Sequence, residues 1–146
     1  MPIRIVIADD HLLYRETLCR MLRSYPAISV LGEASSGAEA IQLAAHLQPD
    51  VALVDVRIKN KNGLDAIAAI RDQSIRTAVL MLSIYEDKQY VIRAVLAGAR
   101  GYLLKDADID LVVRAIGLLH GGEYYFSPAI SAFAEEAFER LPGSVR

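Results

Sequence analysis

The chain has 146 residues, 53% of them hydrophobic and 23% charged, which is enough apolar material for the core of one ordinary domain and argues against a disordered chain. Sixteen Lys and Arg face eighteen Asp and Glu, for a formal charge of −2, so no basic excess marks a nucleic-acid binder, and the single cysteine, Cys19, excludes an internal disulfide. The opening MPIRIVIADD lacks the pattern of a signal peptide, and no apolar run approaches the ~20 residues that span a bilayer, so a soluble, cytoplasmic, single-domain protein is expected.

The run IRIVIA (3–8) reads as a strand and stops abruptly at two aspartates, Asp9 and Asp10. Residues 11–25 follow with an apolar stripe of Tyr14, Leu18, Met21, Leu22 and Tyr25 at helical spacing, which leaves Cys19 off the stripe as a small helix residue. A second strand, ISVLGEA (28–34), leads to Ser36 and Glu39, whose spacing is that of a capping box ahead of a helix over 37–47. Three more strands, VALVDV (51–56), TAVLML (77–82) and GYLL (101–104), alternate with helical patterns over 64–72, 86–97 and 107–120. Near-continuous Val, Ile and Leu is the mark of parallel strands buried on both faces. Five β–α repeats therefore predict an α/β fold: a five-stranded parallel sheet with helices on both faces and right-handed crossovers. The rhythm then breaks. In FSPAISAFAEEAFERLPGSVR, Ser127 offers an N-cap, Pro128 the first helical position, and Ile130, Phe133, Ala137, Phe138 and Leu141 an apolar stripe, so one appended helix is expected.

In an open parallel sheet, ligands bind beyond the carboxyl ends of the strands, and for the order 2-1-3-4-5 the crevice lies between strands one and three. Asp9 and Asp10 follow the first strand, Asp55 the third, Ser83 the fourth and Lys105 the fifth. Singly, each has an ordinary reading as a helix cap, a strand end, a turn residue or a surface charge. Together they place three carboxylates around one crevice, where like charges raise one another's pKa unless a cation intervenes. Mg²⁺ suits oxygen ligands and recruits phosphate oxygens. Asp55, alone at its strand end, is the best-placed nucleophile towards phosphorus, with Lys105 and Ser83 to meet the charge that spreads onto the phosphoryl oxygens. His11, His46 and His120 show no metal spacing, and Asp65 suits the dipole of the helix it begins.

The acidic pair in ADDH, the acceptor in ALVDVR, the hydroxyl in VLMLS and the stretch GARGYLLKD resemble the receiver domains of two-component response regulators over roughly residues 3–126. GARGYLLKDA followed by GLLHGGEYYFSP is similar to the NarL/FixJ (LuxR-type) group, whose receivers precede a helix-turn-helix DNA-binding domain. The resemblance implies a flavodoxin-like receiver over 1–126 and, over 127–146, a helix leading to an effector domain outside these residues. It implies phosphorylation of Asp55 by a sensor histidine kinase, Mg²⁺ on Asp9, Asp10, Asp55 and the Arg57 backbone carbonyl, and Ser83 and Lys105 on the phosphoryl oxygens. Tyr102 would be the aromatic that changes rotamer with Ser83. Such a domain is no enzyme beyond its own phosphorylation and dephosphorylation; phosphorylation would favour a homodimer, and DNA would be reached only through the effector domain. The readout surface would be the fourth and fifth helices with the fifth strand: Ile109, Val112, Val113 and Ile116 facing the sheet, with Leu111 and Leu118 free for a partner unless the tail helix covers the fifth helix.

The sequence departs from the family after the acceptor, where DVRIKNKNG carries Ile58, and Lys59 replaces a loop-stiffening proline. Gly63 keeps its expected place, suiting an unusual backbone angle, while Arg57, Lys59 and Lys61 make the loop basic and Ile84 is bulkier than usual after Ser83. Arg57 and Tyr85, each two residues beyond a site residue, would overhang the site and slow dephosphorylation. Two rivals share parts of the pattern. A haloacid-dehalogenase-type hydrolase needs Asp-x-Asp and a cap insertion, and a flavodoxin-like flavin binder needs a phosphate-cradling first loop where DDH stands. A stand-alone receiver acting on a protein partner is the remaining alternative.

Overall fold

The computed structural model describes residues 1–58 and 63–141. The apolar runs form strands almost where their composition places them: β1 (Ile3–Ala8), β2 (Ile28–Ala34), β3 (Val51–Asp55), β4 (Ala78–Ser83) and β5 (Gly101–Leu104). Between them run α1 (Leu12–Arg23), α2 (Gly37–Leu47), α3 (Gly63–Gln73), α4 (Lys88–Ala97) and α5 (Ile109–His120). The strands are parallel in the order β2-β1-β3-β4-β5, with a sixth strand, β6 (Tyr125–Phe126), added beside β5.

Every residue of β3 and β4 is buried, as continuous apolar runs require, and alternate side chains feed two cores. On one face Val6, Ala8, Val54, Val79 and Met81 pack with α2, α3 and α4. On the other Ile5, Ile7, Leu53, Leu80 and Leu82 pack with α1 and α5. Ser36 caps α2 as its spacing predicts, its Oγ accepting the Glu39 N–H at 3.2 Å. Glu39 Oε1 reaches back one residue further than in a capping box, accepting the N–H and hydroxyl of Ser35.

Four expectations are corrected. The sheet has six strands, not five: β6 is held by the Tyr125 N–H on the Arg100 carbonyl (3.0 Å) and the Ser127 N–H on the Tyr102 carbonyl (3.1 Å), and two residues are too few to carry a periodicity. In α1 the buried face is Leu18, Cys19 and Leu22, so Cys19 is a core residue and Met21 is exposed. Ser127 does not cap a helix with its side chain; its Oγ accepts the Leu104 N–H (3.3 Å) at the end of β5, and a 3₁₀ turn (Pro128–Ile130) precedes α6 (Ser131–Arg140). Finally, α6 lies against α4, on the opposite face of the sheet from α5, with Ile130, Ala134 and Ala137 fully buried and Lys88 Nζ 3.1 Å from Glu136. So α4 is covered, whereas Leu111 and Leu118 on α5 stay half-buried. The readings attached to Lys59 and Lys61 lie outside the described residues.

Candidate functional site

Register brings the strand ends level. Ala8 of β1 pairs with Val54, Asp55 with Leu82, and Ser83 with Leu104, so Asp9, Asp55, Ser83 and Lys105 emerge along one rim. Three of these side chains use the same local device. Asp9 Oδ1 accepts the N–H of His11 (2.8 Å), Asp55 Oδ1 that of Arg57 (3.2 Å), and Ser83 Oγ that of Tyr85 (2.8 Å), each two residues on. Short polar side chains form such turns readily, and each one carries the chain out of the sheet while fixing its own rotamer. Asp9 is therefore not the helix cap of its ordinary reading, since α1 starts after His11 with no side-chain cap, and its second oxygen does something else.

Asp9 Oδ2 and Asp55 Oδ2 are buried and meet no backbone or neutral hydrogen-bond donor among the described residues. Both face the Lys105 ammonium, at 2.6 and 3.4 Å, in buried ion-pair contacts. The Lys105 side chain is itself only 8% exposed and lies 4.5 Å from the centre of the Tyr14 ring. Burial first, and then the charge of Asp9, hold the Asp55 carboxyl above its ordinary range, against the pull of Lys105 and of the Arg57 amide. Burial also pushes the Tyr14 hydroxyl up to about 12, reinforced by Asp9 and Asp55. Asp10 stands at the rim, its side chain 23% exposed.

The residue that sequence spacing missed is His11. Its Nδ1 lies 3.1 Å from Asp9 Oδ1, 3.6 Å from Asp10 Oδ1 and 3.7 Å from Asp55 Oδ2. Ligand atoms of Asp9, Asp10, His11 and Asp55 all fall within 4.8 Å of one another. Only its place directly after the acidic pair could have signalled this. Two buried carboxylates that converge on one point, joined by a third carboxylate at the rim, form a hard-oxygen set that fits Mg²⁺.

Tyr102 is fully buried beneath the β4–α4 loop, and its hydroxyl donates to the Tyr85 carbonyl at 3.1 Å. Burial lifts that hydroxyl to about 12, opposed by a hydrogen bond with Ser83. The Arg57 guanidinium sits over the rings of Tyr85 (5.1 Å) and Tyr90 (5.9 Å), while Ile84 is exposed. The Arg57–Tyr85 pair is thus one stacked unit beside the site.

Comparison with known proteins agrees with this geometry. A family model described as the response regulator receiver domain matches residues 5–117. The chain is 34% identical over 139 residues to the transcriptional regulatory protein DegU of Brevibacillus brevis, covering 95% of this chain and 59% of DegU. It is 35% identical over 135 residues to the nitrate/nitrite response regulator NarP of Escherichia coli, covering 92% of this chain and 63% of NarP. The chain thus spans about three fifths of the length of these relatives. Among solved structures, the signal receiver domain of NarL from Mycobacterium tuberculosis superimposes with a TM-score of 0.81 at 37% identity, covering 84% of this chain and 98% of that one. A LuxR-family response regulator from Aurantimonas gives 0.85 at 29% identity, covering 93% and 97%.

Proposed function

The chain belongs to the response regulator receiver family, and from that membership we propose that it accepts a phosphoryl group on Asp55 from a sensor histidine kinase and passes the change to an effector. The observation that supports this most directly is Asp55 Oδ2, buried at a strand end and facing an ammonium. That oxygen attacks phosphorus while the bond from phosphorus to the kinase's histidine nitrogen breaks, leaving an acyl phosphate on Asp55. Asp55 Oδ1 stays on the Arg57 amide, so the carboxylate is presented in one orientation. Bound Mg²⁺, held by Asp9, Asp10, Asp55 and the Arg57 carbonyl, would neutralise charge on the phosphoryl oxygens. Lys105 adds a fixed positive charge, and Ser83 can donate its hydroxyl to a phosphoryl oxygen while still accepting the Tyr85 amide.

That added bond couples the site to Tyr102, because Ser83, Tyr85 and Tyr102 share one hydrogen-bonded loop, and it biases an existing equilibrium between loop arrangements. Phosphorylation then favours a homodimer. Residues 1–126 are the receiver, and 127–146 lead to a helix-turn-helix domain through which the cytoplasmic protein controls transcription; the names of its relatives support this output. The domain performs no chemistry beyond gaining and losing its own phosphoryl group, a loss that the Arg57–Tyr85 stack slows. Incubation with acetyl phosphate and Mg²⁺ should add one phosphoryl group by intact mass, and Asp55→Asn should abolish it. Full labelling of that variant would move the acceptor elsewhere and overturn the assignment.

A further inference from the structure

At the end of the sheet opposite the rim that carries Asp55, where β4 and β5 begin, lies a cavity of about 400 Å³. The six residues of β4 put about 17 Å between Ala78, which lines it, and Ser83. Four basic side chains line the cavity, Arg71, Arg76, Arg100 and His120, and among the described residues no carboxylate does. Asp50 engages Arg76, with Oδ1 2.5 Å from Nη2, while its Oδ2 accepts the Arg4 N–H. Among the described residues, neither Arg71 nor Arg100 has an ion-pair partner. Both are placed by the backbone around them. Arg71 stands in the last turn of α3, and α4 ends in a left-handed turn at Gly98 (φ +111°), where a Cβ would lie 2.9 Å from the Arg71 guanidinium carbon. The Arg100 backbone is pinned on both sides, its N–H on the Val79 carbonyl (2.9 Å) and its carbonyl accepting the Tyr125 N–H (3.0 Å). Its guanidinium lies 4.6 Å from the centre of the Tyr124 ring and donates through Nη2 to the Gly122 carbonyl. Its Nε is buried with no acceptor among the described residues. A charged N–H is left unmade in a buried place only at a cost, which an incoming anion would relieve.

We propose that this cavity binds a small polyanion bearing two or more phosphate groups, with Arg71 and Arg100 as its principal contacts. A guanidinium presents paired N–H donors that match phosphate oxygens two at a time. Two such groups without carboxylate partners, delivered from separate segments to one cavity, ask for a ligand with more than one anionic group. The volume falls within the roughly 300–1,000 Å³ of small-molecule sites. Val95, Leu119 and Phe138 supply apolar walls that exclude water and strengthen the charged contacts. A ligand here would touch α3, α4, α5 and α6 at once, and so would tie α6 to its place on α4. The site shares no residue with the rim around Asp55 and stands independently of the function proposed there.

Calorimetric titration of the unphosphorylated chain with inorganic pyrophosphate, in EDTA, tests this. Without a divalent ion the carboxylates of Asp9, Asp10 and Asp55 repel the probe, so the outcome does not depend on the acceptor site. The variants are Arg71→Gln and Arg100→Gln, with Arg20→Gln, an exposed charge on α1, as the control for net charge. We expect one site, weakened about tenfold or more by each of the first two and less than about twofold by the control. Pyrophosphate should also raise the Tm of the parent and leave that of Arg71→Gln nearly unchanged. No binding by the parent, unchanged affinity in Arg71→Gln, or an equal loss in Arg20→Gln would overturn the proposal. Should replacement of Arg100 loosen its packing on Tyr124, Arg71→Gln, at an exposed position, decides the case by itself, with thermal melts checking its fold.

Discussion

Replacing Lys105 by Met removes one charge while keeping most of the apolar stem, and it leaves Asp9 and Asp55 facing each other with their nearest ammonium gone. Both carboxylates are at most 4% exposed in their side chains, so water cannot substitute for the ammonium. Breaking a buried ion pair from one side costs roughly 3–5 kcal/mol. A ceiling comes from protonation: holding one aspartate protonated at pH 7 against an ordinary pKa near 4 costs about 4 kcal/mol, and less for Asp55, whose pKa is already raised. We therefore expect Lys105→Met to destabilise the metal-free chain by about 3 kcal/mol at pH 7, lowering Tm by about 9 °C at this chain length. At pH 5 the ceiling falls to about 1.4 kcal/mol and the loss should shrink with it. Saturating Mg²⁺, which binds only the folded chain, should return much of the deficit. Urea melts of parent and variant at the two pH values, each with EDTA and with Mg²⁺, measure all of this. An equal loss at pH 5 and pH 7 would refute the reasoning, because it would assign the effect to packing against Tyr14 and not to charge.

Two further outcomes follow from the same rim. The folded-state pKa of Asp55 is raised, so its contribution to stability is present below the unfolded pKa of about 3.8 and is lost as pH rises towards the folded value; Asp55→Asn should therefore stabilise the metal-free chain at pH 7 by on the order of 1 kcal/mol, and a melt showing no gain, or a gain that persists at pH 3, would contradict that sign. A Cβ on Gly63 would overlap the Asp55 carbonyl oxygen and lie 2.9 Å from Val56 Cα; Gly63→Ala should cost about 2 kcal/mol in a urea melt and reduce acetyl-phosphate labelling, since the backbone that must yield is that of the acceptor itself.

How much of this was legible in the sequence depended on how many residues carried each signal. The strand ends were readable because unbroken Val, Ile and Leu runs stop at a single polar residue, and parallel register then sets Asp9, Asp55, Ser83 and Lys105 along one rim. Gly63 was readable as a required glycine but for another reason: the torsion expected to be unusual involves Asn62, outside the described residues, whereas the steric requirement arises from Asp55 and Val56, seven or eight positions away. His11 was missed because metal spacing in a sequence is sought along one element, and here the carboxylates it meets come from two strand ends. Cys19 and Met21 exchanged roles because a helix packed between a sheet and a second helix buries a face set by its tilt, which the 3.6-residue period alone does not fix. The resting place of α6 was equally hidden: the stripe of Ile130, Phe133, Ala137, Phe138 and Leu141 says that this segment packs, and only the short zipper of 125–127 onto β5 delivers it to α4.

That zipper also bears on how the chain avoids sticking to copies of itself. A parallel sheet ends in two rows of open amides and carbonyls, each a template for a foreign strand. Beyond β5 the row is closed off by a partner only two residues long, after which Pro128 turns the chain away, so little length is left for an intruder to pair with. At the other margin β2 runs seven residues, but Leu31 is an extra residue between the pairs Ile5–Val30 and Val6–Gly32, and this irregularity breaks the even ladder. Straightening that margin by deleting Leu31 would trade a blunted edge for a smooth one, a longer even template for a foreign strand.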